Sequence, residues 1–124
     1  NDLTVVTYGA MVHETVFAIK KLETEGHSIE LIDIRTIITL DEETIFNSIK
    51  KTGKVVIIHE DTLTSGFGAE ISARIAESCF EFLDAPVKRI AAKDAFFPYH
   101  PELEKGILPS RDGIYSDLKK LLAY

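Results

Sequence analysis

The sequence predicts an α/β domain with helices on both faces of a mainly parallel sheet, and three observations carry that expectation. Short apolar, β-branched runs alternate four times with longer segments whose apolar residues recur at helical spacing. Right-handed crossovers between parallel strands then distribute the helices over both faces. A length of 124 residues, 45% of them hydrophobic and 27% charged, suits one core, so residues 1–124 are read as a single domain.

Leu3 to Tyr8 is short, apolar and β-branched and runs into Gly9, as a buried strand closed by a turn does. From Met11 to Glu25, Val12, Val16, Ile19 and Leu22 alternate with Lys20, Lys21, Glu23 and Glu25, and Gly26 follows as a stop. An amphipathic helix is expected there, and a second strand over Ser28 to Ile34. Asp41 stands where a helix N-cap belongs, with Glu42 and Glu43 suited to the positive end of the helix dipole. Ile45, Phe46 and Ile49 supply that helix's buried stripe, and Lys50 and Lys51 fill its last turn before Gly53.

Lys54 to His59 includes Val-Val-Ile-Ile, the most apolar stretch of the chain, and reads as a strand covered on both faces. Gly66 to Leu83 carries Ile71, Ile75, Cys79 and Phe82 at helical spacing. Ala69, Ala73, Ala76 and Phe80 widen that apolar face, so a largely buried third helix is expected. Val87 to Ala91 is a fourth strand and Ala92 to Pro109 a proline-interrupted loop. Ser110 then caps a last helix that turns Ile114, Leu118, Leu121 and Leu122 inward.

Composition removes several classes of function. No apolar run approaches the roughly 20 residues of a membrane span. A net charge of -6 without a basic patch argues against nucleic acid. Cys79 is the only cysteine, so it can form neither an intrachain disulfide nor a multi-cysteine zinc site, and a reducing, cytoplasmic setting is expected. Asn1 leads at once into strand-like sequence, with no methionine before Met11, so a domain cut from the C-terminal end of a longer chain is expected.

In open α/β sheets, sites gather beyond the carboxyl ends of the strands, here Tyr8 to Ala10, Asp33 to Thr36 and His59 to Gly68. Gly66, Phe67 and Gly68 precede a helix and could offer N–H groups to an anion, but a dinucleotide fingerprint lacks its third glycine at Ile71. Asp33 and Arg35 suit a loop tie better than a ribose contact, and Lys51-Thr52-Gly53-Lys54 suits a helix C-cap. His59, Glu60 and Asp61 could supply a general acid, a base or a hard-metal ligand. Adjacent residues of an extended strand point apart, however, and would not converge without a turn. His13, His27 and His100 have no second metal ligand at helical or finger spacing. The residues alone therefore indicate a fold and no catalytic centre.

Several segments in order complete the reading: Asp33-Ile34-Arg35-Thr36-Ile37-Ile38, Lys51-Thr52-Gly53-Lys54, His59-Glu60, Ser65-Gly66-Phe67-Gly68-Ala69-Glu70-Ile71, Phe82-Leu83-Asp84-Ala85-Pro86 and Phe97-Pro98-Tyr99. Together they resemble the C-terminal domain of the β subunit of the thiamine-diphosphate-dependent first component of 2-oxo acid dehydrogenase complexes. The resemblance implies a transketolase C-terminal fold, a three-layer α/β/α sandwich with four to five strands. The strands expected above would lie in the order two, one, three, four, with strand two an open edge. It implies oxidative decarboxylation by the parent enzyme, with thiamine diphosphate and Mg held by other domains and neither catalysis nor cofactor binding in this one.

For this domain the resemblance implies contacts with the parent's other domains and subunits, a homodimer through β-type domains, and docking of the acyltransferase's peripheral subunit-binding domain. Asp117 and the Tyr124 carboxylate are the docking candidates, and a solvated, frayed helix end is the plain alternative. Arg35, Thr36, His59 and Glu60 match motif positions expected to hold loops against neighbouring domains. Arg35-Thr36-Ile37-Ile38 and His59-Glu60 lean toward the branched-chain rather than the pyruvate type. The location would be cytoplasmic, or the mitochondrial matrix in a eukaryote. A transketolase or deoxyxylulose-phosphate synthase tail, or a free-standing anion-binding module, are the alternatives.

Overall fold

Strands β1 (Leu3–Thr7), β2 (Ile29–Asp33), β3 (Val55–Thr62) and β4 (Lys88–Ala92) form one parallel sheet in the order β2-β1-β3-β4 in the computed structural model, which describes residues 1–94 and 105–124. Helices α1 (Met11–Thr24), α2 (Glu42–Thr52), α3 (Phe67–Cys79) and α4 (Arg111–Leu122) alternate with them. The order matches the one the family resemblance implies. β1 is central, with Val5 opposite Leu31 on one side and Val56 on the other.

Alternation along the central strands divides the core in two. Leu3, Val5, Val56 and Ile58 face Ala18, Ile19 and Leu22 of α1 and Ile114, Leu118 and Leu121 of α4. Val6, Val55 and Ile57 face Ile45 and Ile49 of α2 and Ile71, Ile75 and Cys79 of α3. Val-Val-Ile-Ile is thus covered on both faces because successive residues serve opposite layers. Thr4 also points to the α2 layer, where its hydroxyl lies 2.7 Å from Ser48 Oγ and 2.8 Å from Thr52 Oγ1. This buried trio satisfies itself and the Lys54 carbonyl, which accepts from Thr52 at 3.0 Å.

Local chemistry explains the ends of the elements. Asp41 accepts from the Thr44 N–H at 3.1 Å and caps α2, while Ser110 accepts from the Gly113 N–H at 3.1 Å and caps α4. Gly53 closes α2 in the left-handed region at φ 72, and its carbonyl accepts the Asp84 N–H at 2.7 Å. The segments around Gly53 and Asp84 therefore meet and hold each other.

Two expectations need correction. The third helix stops at Cys79 rather than Leu83, and Phe80–Phe82 forms a 3₁₀ turn. That helix is not largely buried: Gly68, Ile71, Ile75 and Cys79 form one inward stripe, whereas Ala73, Ala76, Phe80 and Phe82 are exposed. Apolar spacing marks a stripe but not where the covering layer ends. Most of the expected Ala92 to Pro109 loop, with Phe97-Pro98-Tyr99 and His100, lies outside the described residues. β2 pairs with β1 alone among the described residues, and all five of its residues are half-buried.

Candidate functional site

The carboxyl end of the sheet brings Tyr8, His59 and Phe67 together. His59 shares a face with Val55 and Ile57, which carries its ring over the start of α3, where it is 1% exposed. Its Nε2 accepts the Gly68 N–H at 3.1 Å. A Cβ on Gly68 would stand 2.2 Å from that nitrogen, and one on Gly66 would stand 2.0 Å from the Thr62 carbonyl oxygen. The two glycines are thus explained by how closely the end of β3 approaches the helix. Tyr8 stacks on the His59 ring at 5.9 Å and meets Phe67 edge-on at 6.3 Å.

An imidazole that accepts at Nε2 carries its neutral-form proton on Nδ1, and that atom is buried without a hydrogen bond among the described residues. Burial depresses the pKa of His59, with Arg89 adding to the effect. The Asp61 charge and backbone oppose it without bringing Nδ1 into hydrogen-bond geometry. Tyr8 is shifted up by burial, and then by Asp61 and Glu60. Glu60 is exposed on the far side of the strand, so the structure separates it from His59 as strand geometry expects.

Residues absent from the sequence expectations anchor this end. β3 changes register between Ile58 and Thr62, and the following loop is tied to β4. Arg89 donates to the Leu63 carbonyl at 2.7 Å, and Asp94 accepts the Thr64 N–H at 2.9 Å and its hydroxyl. Arg89 and Asp94 are distant from the loop in sequence, and only the parallel pairing of β3 with β4 reveals them.

Arg35 pairs with Asp33 at 3.0 Å, and its side chain remains 86% exposed. Thr36 donates to the Thr39 carbonyl at 3.2 Å, inside its own loop. Asp33, Ile34 and Arg35 line a cavity of about 450 Å³ with Gly9, Val12 and His13. The structure groups Arg35 and Thr36 with Leu40 and Asp41 around a second space of about 210 Å³. No contact described joins either residue to His59 or Glu60. Beyond them Ile37 and Ile38 are exposed.

Asp117 and Tyr124 come together at the opposite end, around a groove of about 230 Å³ lined also by Pro86, Val87, Lys88, Lys120 and Leu121. Asp117 pairs with Lys120 at 3.7 Å, and Tyr124 is 72% exposed.

Chemically, the carboxyl end holds a fixed neutral imidazole whose one basic lone pair is already used. The Gly68 N–H expected to face an anion is engaged instead by that imidazole. The start of α3 therefore offers thiamine diphosphate no free Gly68 N–H. Among the described residues no three His, Cys, Asp or Glu side chains are placed to hold a metal such as its Mg, and no helix is long and apolar enough to cross a membrane.

Comparison with known proteins agrees with the architecture. The β subunits of the pyruvate dehydrogenase E1 component from Staphylococcus epidermidis and Staphylococcus aureus are each 38% identical to the chain over 124 residues, all of this chain and 38% of each relative. The chain thus spans well under half the length of these curated relatives. A solved chain described as a split-gene transketolase, inactive β4 tetramer, superposes with a TM-score of 0.84 over 98% of this chain and 39% of its own length. At 24% identity, that likeness shows the fold. Residues 1–114 match the family described as transketolase, C-terminal domain, so the four-stranded parallel sheet with its flanking helices is a transketolase C-terminal domain, and the chain belongs to that family.

Proposed function

We propose that residues 1–124 form one domain of a longer chain, the C-terminal domain of the β subunit of a 2-oxo acid dehydrogenase decarboxylating component. The observation that carries this reading is the 38% identity to pyruvate dehydrogenase E1 β subunits over the full chain. The names of these relatives favour the pyruvate type and lend no support to the branched-chain lean. In this reading the parent performs oxidative decarboxylation with thiamine diphosphate and Mg on its other domains, in the cytoplasm or the mitochondrial matrix. This domain supplies subunit association, including a β-type homodimer, and docking of the acyltransferase.

Arg35, Thr36, His59 and Glu60 then serve the association edge, His59 from beneath by fixing the start of α3. The groove beside Asp117 and Tyr124 serves docking, where the Asp117 carboxylate would meet a basic partner. Sequencing the reading frame upstream of Asn1 tests the proposal. A pyrimidine-binding domain there is the expected result, and a start codon immediately before Asn1 would overturn it. Titration of the isolated domain with thiamine diphosphate and with inorganic phosphate should show no binding, whereas phosphate binding would favour an anion module.

A further inference from the structure

We propose that His59 is a proton-operated latch on the start of α3: the neutral ring holds the first turn against the end of β3, and the protonated ring releases it. The geometry leaves little alternative. Nε2 is an acceptor only while it lacks a proton, and it faces the Gly68 N–H at 3.1 Å. A proton on Nε2 would set two donors against each other. Flipping the ring does not help, because both nitrogens of an imidazolium donate. The ring also cannot retreat, since Tyr8 stacks on one face and the backbone of α3 stands close enough that Gly68 has no room for a Cβ.

The charged and titratable groups around the ring set the bias. Asp61 on β3 favours protonation, Arg89 on β4 opposes it, and the phenol of Tyr8, just beyond β1, is held in its neutral form. Glu60 points to solvent from the same strand, and Glu70 in the first turn of α3 is engaged by Arg74 at 3.0 Å. The balance keeps the ring neutral and the latch closed near neutral pH. Opening it would further expose Tyr8 and Phe67 together with the buried Gly66 and Gly68. This inference is independent of the parent enzyme's identity, because it concerns only contacts within the chain.

Nitrogen NMR of the His59 ring and amide exchange of the 124-residue chain, from about pH 8 to about pH 4, test it. The ring should keep its proton on Nδ1 near neutrality. Opening at the Gly68 amide, corrected for intrinsic exchange, should grow about tenfold per pH unit below roughly 6.5, while Val6 in the sheet stays protected. A ring that takes its second proton with Gly68 still protected overturns the latch. His59→Gln offers an acceptor that does not titrate, so the pH dependence at Gly68 should disappear, and its persistence would also overturn the proposal. Should that variant not fold, the wild-type titrations decide: coincident ring and Gly68 midpoints support the latch, and separated ones sink it.

Discussion

Glycine 9, glycine 53 and glycine 68 differ in what a methyl group would meet. Gly9 lies at φ 65 with nothing within 4 Å of an added Cβ, so Gly9→Ala should cost only the left-handed strain, about 1–2 kcal/mol. Gly53 combines φ 72 with Asp84 Oδ2 at 2.2 Å, so Gly53→Ala should cost more than Gly9→Ala. Gly68→Ala has no such strain but drives a Cβ into His59, costing about 1–3 kcal/mol. Urea unfolding midpoints rank the three, and Gly9→Ala proving the most damaging would contradict this account. The same denaturation series carries a pH prediction for His59. Its folded pKa is lowered, so the unfolded chain binds the proton first. The stability of the neutral form is fully present above about pH 6.5 and declines as pH falls toward the folded value. His59→Gln should lose that part of the pH dependence. The Gly-Phe-Gly signal was legible in the sequence as a close backbone approach to something. Its partner was not, because the contact joins residues nine positions apart across a strand, a bulge and a turn.

At the level of elements, local rules read well wherever the cause is local. Asp41, Gly53 and Ser110 each do what their position in the sequence implies, since a cap needs only its own first or last turn. Asp41 is held below the usual carboxylate range by the Thr44 hydroxyl and N–H. Asp41→Ala should therefore lower the thermal midpoint at pH 6, and the difference from wild type should shrink below about pH 4 as the carboxylate is protonated. Asp41→Asn should retain most of the cap at both. Thr4 is a harder case, because nothing in an apolar strand announces that one hydroxyl will find two partners on α2. Thr4→Val leaves Ser48 and Thr52 short of a partner in the core and should cost about 1–3 kcal/mol in chemical denaturation. The end of α3 departs from its apolar spacing for a related reason. Phe80 and Phe82 keep the helical period, yet beyond Cys79 that spacing no longer faces the sheet, and Phe80 is 78% exposed.

Across the whole molecule, strand order was legible only through the family resemblance, because right-handed crossovers alone leave several orders open, whereas the two layers followed from alternation in β1 and β3. The function of the strand-end residues was less legible. Arg35 and His59 both lie at the carboxyl end of the sheet, but one is exposed and paired to its neighbour while the other is buried under Tyr8. The two ends of the sheet should also separate experimentally. Asp117→Asn should weaken acyltransferase docking in a calorimetric titration of the parent enzyme without moving its unfolding midpoint; unchanged affinity would argue against the groove. His59→Ala in the same enzyme should perturb assembly in sedimentation more than turnover per assembled unit, and intact assembly with lost turnover would reverse that view. Finally, α4 completes the layer over Leu3, Val5, Val56 and Ile58, although it is the last of these elements to be made. At about 5–20 residues per second, the roughly 30 residues from the end of β4 through α4 take about 1.5–6 seconds to synthesise. For that interval the nascent chain presents a half-roofed apolar sheet, which makes it a natural chaperone client. Cutting synthesis short before α4 should therefore yield aggregate rather than a smaller folded domain.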